Sequence, residues 1–143
     1  MSGLAALLAG HTEPGVYQWH SAAPAGDVQH AVEKAGWTFR HLDCWTCEDR
    51  ATFLKGLAAE LGLPPERSDD LDGLDAALAS LRADGAGTVL LWDGWSPLAR
   101  HDEEAFGRVL AALGSRAGAG DRFAVILRGE GPALELEELP IKH

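Results

Sequence analysis

Leu63 to Leu81 reads LPPERSDDLDGLDAALASL, and how this stretch is read decides the fold. Pro64 and Pro65 cannot extend a preceding helix, so the chain must turn there. Leu71, Leu74, Leu78 and Leu81 recur at helical spacing and form one apolar stripe. Asp69, Asp70, Asp72 and Asp75 crowd its beginning. Ser68 or Asp69 serves as N-cap, and the early carboxylates suit the positive end of the helix dipole. With the leucines turned inward, Asp72, Asp75, Ala76, Ala79 and Arg82 line the other side. That side is acidic at its start and small in its middle, so a partner can approach the backbone closely. An ordinary solvated helix also carries charge opposite its leucines. A calcium loop is a third reading, since Ser68, Asp70, Asp72 and Gly73 fall on the first, third, fifth and sixth EF-hand positions. It fails at Asp75, where an apolar residue belongs, and at Ala79, where a glutamate must close the site.

Leu63-Pro64, then Leu71-Asp72-Gly73-Leu74 and Leu78, resembles the leucine-proline and leucine-aspartate-alanine-leucine pattern of the barstar family, inhibitors of barnase-type ribonucleases. Thr88-Val-Leu-Leu-Trp92 is similar to that family's middle strand. Phe106 to Leu113, followed by Phe123-Ala-Val-Ile-Leu127, is similar to its last helix and last strand. The resemblance runs from about Trp37 to Arg128. It implies an α/β, barstar-like fold: a small, mainly parallel sheet of three to four strands packed with helices. It also implies a chain that binds and blocks the active site of a basic, barnase-type or related ribonuclease and so protects the producing cell. The acidic helix and the loop before it would enter the cleft, with carboxylates standing in for substrate phosphates.

The partner-binding residues expected on this basis are Glu66, Arg67, Ser68, Asp69, Asp70, Asp72, Gly73, Asp75, Ala76 and Ala79. Asp72 matches the first inhibitory aspartate of the family motif. The second falls on Ala76, and Asp75 stands where the family has tryptophan. The family's two glutamates on the last helix fall on Ser115 and Ala119, and its aromatic pair before the acidic helix on Glu66 and Arg67. Two alternatives follow: a barstar-fold interaction module that binds a different toxin or protein, and a thiol-redox protein using Cys44 and Cys47.

The 143 residues fit one domain, and nearly half are hydrophobic, enough for a sizeable core. A formal net charge of −10 argues against direct nucleic-acid binding and suits a basic protein partner. No apolar run reaches membrane-spanning length. Gly3 to Ala9 lacks a basic flank, so no signal peptide is expected. Two cysteines without an export signal point to a cytoplasmic setting. A monomer is expected.

Along the chain, residues 1–36 read as an N-terminal extension packed on the domain, 37–128 as the barstar-like domain, and 129–143 as an acidic tail. Ser2 to Ala9 forms one or two helical turns of a loosely held arm, and Val16 to Trp19 a short strand. Asp27 caps a helix that ends at Gly36. Trp37 to Leu42 is a strand with Trp37, Phe39 and His41 on one face, where His41 reads as a structural residue. Thr46 caps the next helix, whose stripe is Phe53, Leu54, Leu57 and Leu61, and Gly62 ends it. Thr88 to Trp92 is covered on both faces. Pro97 starts a short helix, Asp102 caps the last long one, and Gly114 to Gly120 is a small-residue loop. Trp37 and Trp92 belong to the core, and Trp95 is partly exposed. Leu134 to Glu137 alternates apolar and acidic residues like a strand.

Cys44-Trp-Thr-Cys47 lies at a strand-to-helix junction, where a redox pair would sit. The alternative is two half-buried free thiols with a structural role. Zinc would need two further ligands at matching spacing. No G-x-S-x-G, P-loop or H-E-x-x-H occurs, and no carboxylate is paired with a nucleophile. No catalytic residue, metal or cofactor is therefore expected.

Overall fold

A computed structural model describes residues 3–63, 71–79, 87–118, 122–129, 131, 134 and 136–139. In chain order the elements are α1 (Gly3–Leu8), β1 (Val16–Trp19), α2 (Ala25–Lys34), β2 (Thr38–Asp43), α3 (Arg50–Leu61) and α4 (Leu71–Ala79). They continue with β3 (Thr88–Asp93), α5 (Ser96–His101), α6 (Glu103–Ala117), β4 (Phe123–Arg128) and β5 (Glu137–Leu139). The sheet order is β2-β3-β4-β1-β5, and every neighbouring pair is parallel. Helices between strands supply the crossovers that parallel pairing requires. The α/β, mainly parallel architecture agrees with the resemblance. Strands β1 to β4 form the body of the sheet, and three residues of the tail add the fifth strand beyond the stretch expected.

Period-two alternation separates two cores. Leu42, Leu90, Trp92, Phe123, Val125 and Leu127 face α3, α4, α5 and α6. Val89, Leu91, Ala124 and Ile126 face α1 and α2, joined by Tyr17 and Trp19 of β1. Neither β3 nor β4 has an exposed face, which is why both read as continuous apolar runs. The N-terminal segment expected to be loosely held instead docks, with Leu4 and Leu7 buried in the second core.

Local corrections have simple causes. Helix α2 begins at Ala25 after Pro24, without a side-chain cap from Asp27. Asp49, not Thr46, caps α3, because its carboxylate accepts from the Thr52 N–H at 2.7 Å. Gly62 does end that helix, in the left-handed conformation at φ 69°. Asp102 caps α6 by accepting from Ala105 N–H. That helix runs through the expected loop to Ala117, because Ala112, Leu113, Arg116 and Ala117 are buried on its inner face. Arg116 donates to the Leu78 carbonyl at 3.0 Å and lies over the Phe123 ring, which ties α6 to α4 and β4. Trp95 is fully buried and packs on Phe106, so the aromatic expected at the surface is in the core. Trp45 is the large hydrophobic side chain left exposed among the described residues. Cys44 and Cys47 are joined in a disulfide and are not free thiols.

Candidate functional site

Helix α4 places the acidic stretch on the surface. Leu71, Leu74, Ala77 and Leu78 are buried against the α6 side of the core, so the remaining positions must face outward. Asp72, Asp75, Ala76 and Ala79 are exposed, and Gly73 is half-buried. Glu66, Arg67, Ser68, Asp69 and Asp70 lie outside the described residues, as do Leu81, Arg82 and Ala119.

Asp72 is not an isolated carboxylate. Its Oδ1 accepts from Arg108 Nη2 on α6 at 2.6 Å. Both side chains are solvated, so the pair contributes little to folding and exchanges partners at little cost. A second link between the two helices is a cleft of about 250 Å³ lined by Asp75, Leu78, Ala79, Ala112, Ser115 and Arg116. Thus Asp75 and Ala79 share one concavity with Ser115, the position on the last helix where the resemblance would have put a glutamate. Small side chains at Ala79 and Ala112 leave the cleft open. The partnership of Asp72 with Arg108 spans 36 residues and carries no sequence signal.

A second polar cluster lies at the carboxyl ends of the strands. Asp93 accepts from Arg128 through both oxygens, at 2.7 and 2.9 Å, and lies 2.8 Å from His41 Nε2. Arg128 also donates to the Ala23 carbonyl. Burial pushes the Asp93 carboxyl up, but hydrogen bonds from Arg128 and His41 outweigh it and hold it below the ordinary carboxylate range. This network fastens β2, β3, β4 and the loop before α2 together, so His41 is occupied structurally. Among the described residues no group of three His, Cys, Asp or Glu side chains could hold a metal ion. Among them too, no helix is long and apolar enough to cross a membrane.

The family described as Barstar (barnase inhibitor) matches residues 37–128, more than half of the chain. The chain belongs to the barstar family. The match spans β2 through β4 and contains both α4 and α6, the two helices that build the acidic face. Residues 1–36, which supply α1, β1 and α2, precede the match. Members of the barstar family are inhibitors and not enzymes. No curated protein matches the chain.

Proposed function

We propose that this barstar-family chain is a non-enzymatic inhibitor that docks the exposed face of α4 into the active cleft of a basic ribonuclease and so protects the cell that makes it. The observation that carries the reading is the α4 surface itself. Two carboxylates and two alanines face outward from a helix anchored by Leu71, Leu74 and Leu78, in a chain of net charge −10. Asp72 exchanges Arg108 for a cation of the ribonuclease, and desolvation in the complex strengthens the new pair. Residues 66–70, which directly precede α4 in the sequence, bring Glu66, Asp69 and Asp70 as further carboxylates to the proposed contact. Ala76 and Ala79 let the partner's surface approach the helix backbone. Inhibition is steric and electrostatic, and no bond is made or broken on the inhibitor. The proposed site of action is the cytoplasm of the producing cell, with the inhibitor acting as a monomer.

A second reading has support of its own. Ala76 and Ser115 stand where the family pattern expects acidic groups, so the face carries less charge than the pattern implies. That favours a barstar-fold module whose partner is a different toxin or protein. Affinity capture with the full chain, identification of the captured protein, and assay of its RNA cleavage separate the two. A captured basic ribonuclease whose cleavage stops at one equivalent of inhibitor supports the first. A captured protein without ribonuclease activity supports the second.

A further inference from the structure

The turn between β2 and α3 combines three features that the docking surface does not use. Cys44 and Cys47 form a disulfide and are both buried, Cys47 being the more exposed at 7% against 1%. Between them Trp45 is 51% exposed, whereas Trp19, Trp37, Trp92 and Trp95 are buried. The Trp45 residue nonetheless lies against the ends of two core strands. A Cβ on Gly94, which follows β3, would come within 2.6 Å of the Trp45 backbone nitrogen. A Cβ on Gly129, which follows β4, would come within 2.6 Å of the Trp45 ring. Only glycine admits the indole at both places. Cys44 N–H donates to the Asp93 carbonyl, and Cys47 N–H closes the turn onto the Cys44 carbonyl.

We infer that the Cys44–Cys47 pair is a redox-responsive modification site, with a small or protein dithiol as its substrate class, and that its oxidised form latches Trp45 onto the strand ends. A thiolate of the dithiol attacks the Sγ of Cys47, the more exposed of the two residues. A mixed disulfide forms, the Sγ–Sγ bond breaks, and Cys44 leaves as a thiolate that takes a proton. The second thiol of the reductant then attacks the mixed disulfide and releases Cys47. Two electrons and two protons pass to the pair, and the reductant becomes a disulfide. Only two residues separate the cysteines, so the bond restricts the unfolded chain little and its opening leaves the fold intact. What it restricts is local: without it the turn keeps its backbone hydrogen bonds and the packing of its two cysteines but loses its covalent closure. The indole, with half its surface already in water, then moves off Gly94 and Gly129. Reduction thereby converts a fixed aromatic surface into a mobile one.

The test uses the full chain labelled with ¹⁵N and titrated with dithiothreitol under native conditions, read by thiol counting and by indole N–H spectra. Two thiols should appear together. The Trp45 indole signal, assigned by its loss in Trp45→Phe, should move towards the position of an exposed indole, while the four buried signals stay in place. Amide exchange at Cys44 and Gly94 should speed up by about tenfold or more. The Cys44→Ser/Cys47→Ser protein should show the same Trp45 signal without reductant. Failure of the thiols to appear without denaturant overturns the inference. So does their appearance with an unmoved Trp45 signal, or with collapse of all the indole signals, which would make the bond a support of the whole fold.

Discussion

Asp93 is the residue whose environment has most to say about stability. It is a carboxylate with 13% of its side chain exposed, clasped by Arg128 and His41. Its folded-state acidity is strengthened, so its contribution is full above the unfolded carboxyl value of about 3.9 and fades as pH falls through the lower folded value. Asp93→Asn should cost about 1–3 kcal/mol at pH 7, because Arg128 keeps the Ala23 carbonyl but loses its charged partner in a half-buried place. Denaturant titrations at pH 7 and near pH 3 check the sign: the gap between parent and variant should shrink in acid. Asp72 behaves differently. Its pair with Arg108 is solvated, so Asp72→Ala should leave the unfolding midpoint nearly unchanged. On the proposed docking, its effect should fall on the complex, where burial against an arginine or lysine should make removal cost about 2–5 kcal/mol, seen chiefly as faster dissociation. Neither the Asp72–Arg108 pair nor the clasp on Asp93 was legible in the sequence. Both join residues 35 or more positions apart, and spacing rules see only local partners.

At the scale of elements, periodicity was the reliable guide wherever an element buries one stripe or two faces. The leucines of α4, the apolar runs of β3 and β4, and the stripe of α3 were all readable for that reason. Ends and exceptions were not. The small residues after Leu113 look like a loop, yet α6 continues because Arg116 and Ala117 find burial against α4 and β4. Trp95, expected to be partly exposed, is buried, since an aromatic next to a turn gives no sign of which way it points. The core of β3 makes the sharpest prediction at this scale. Leu90 is fully buried, and Leu90→Asp puts an unpaired carboxylate there on top of the roughly 2–5 kcal/mol lost with the leucine. A domain of ordinary stability, about 5–15 kcal/mol, should then not fold, as circular dichroism and solubility would report. The C-x-x-C turn lies on a different element from α4. The double serine variant should therefore keep partner binding within about tenfold, or roughly 1.4 kcal/mol, by titration calorimetry.

For the whole molecule, the second core is built across the boundary of the family match. Residues 37–128 carry Val89, Leu91, Ala124 and Ile126, but the residues that cover this face come mostly from α1, β1 and α2. A chain starting at Trp37 should expose that face and aggregate or lose its cooperative melting transition, which calorimetry would record. The net charge of −10 acts at the same scale: association with a basic partner should slow as salt rises, since exposed charges are screened beyond about 8 Å at physiological ionic strength. The central claim, that the α4 face blocks a ribonuclease, is tested most directly by following RNA cleavage by a basic, barnase-type ribonuclease while inhibitor is titrated in. The parent should stop cleavage at one equivalent. Asp72→Ala should need a concentration at least about 30-fold higher once dissociation limits inhibition, the equivalent of roughly 2 kcal/mol. Ala76→Trp should melt like the parent, because Ala76 is exposed, and yet fail to inhibit. If the parent inhibits and both variants match it, α4 is not the inhibitory surface.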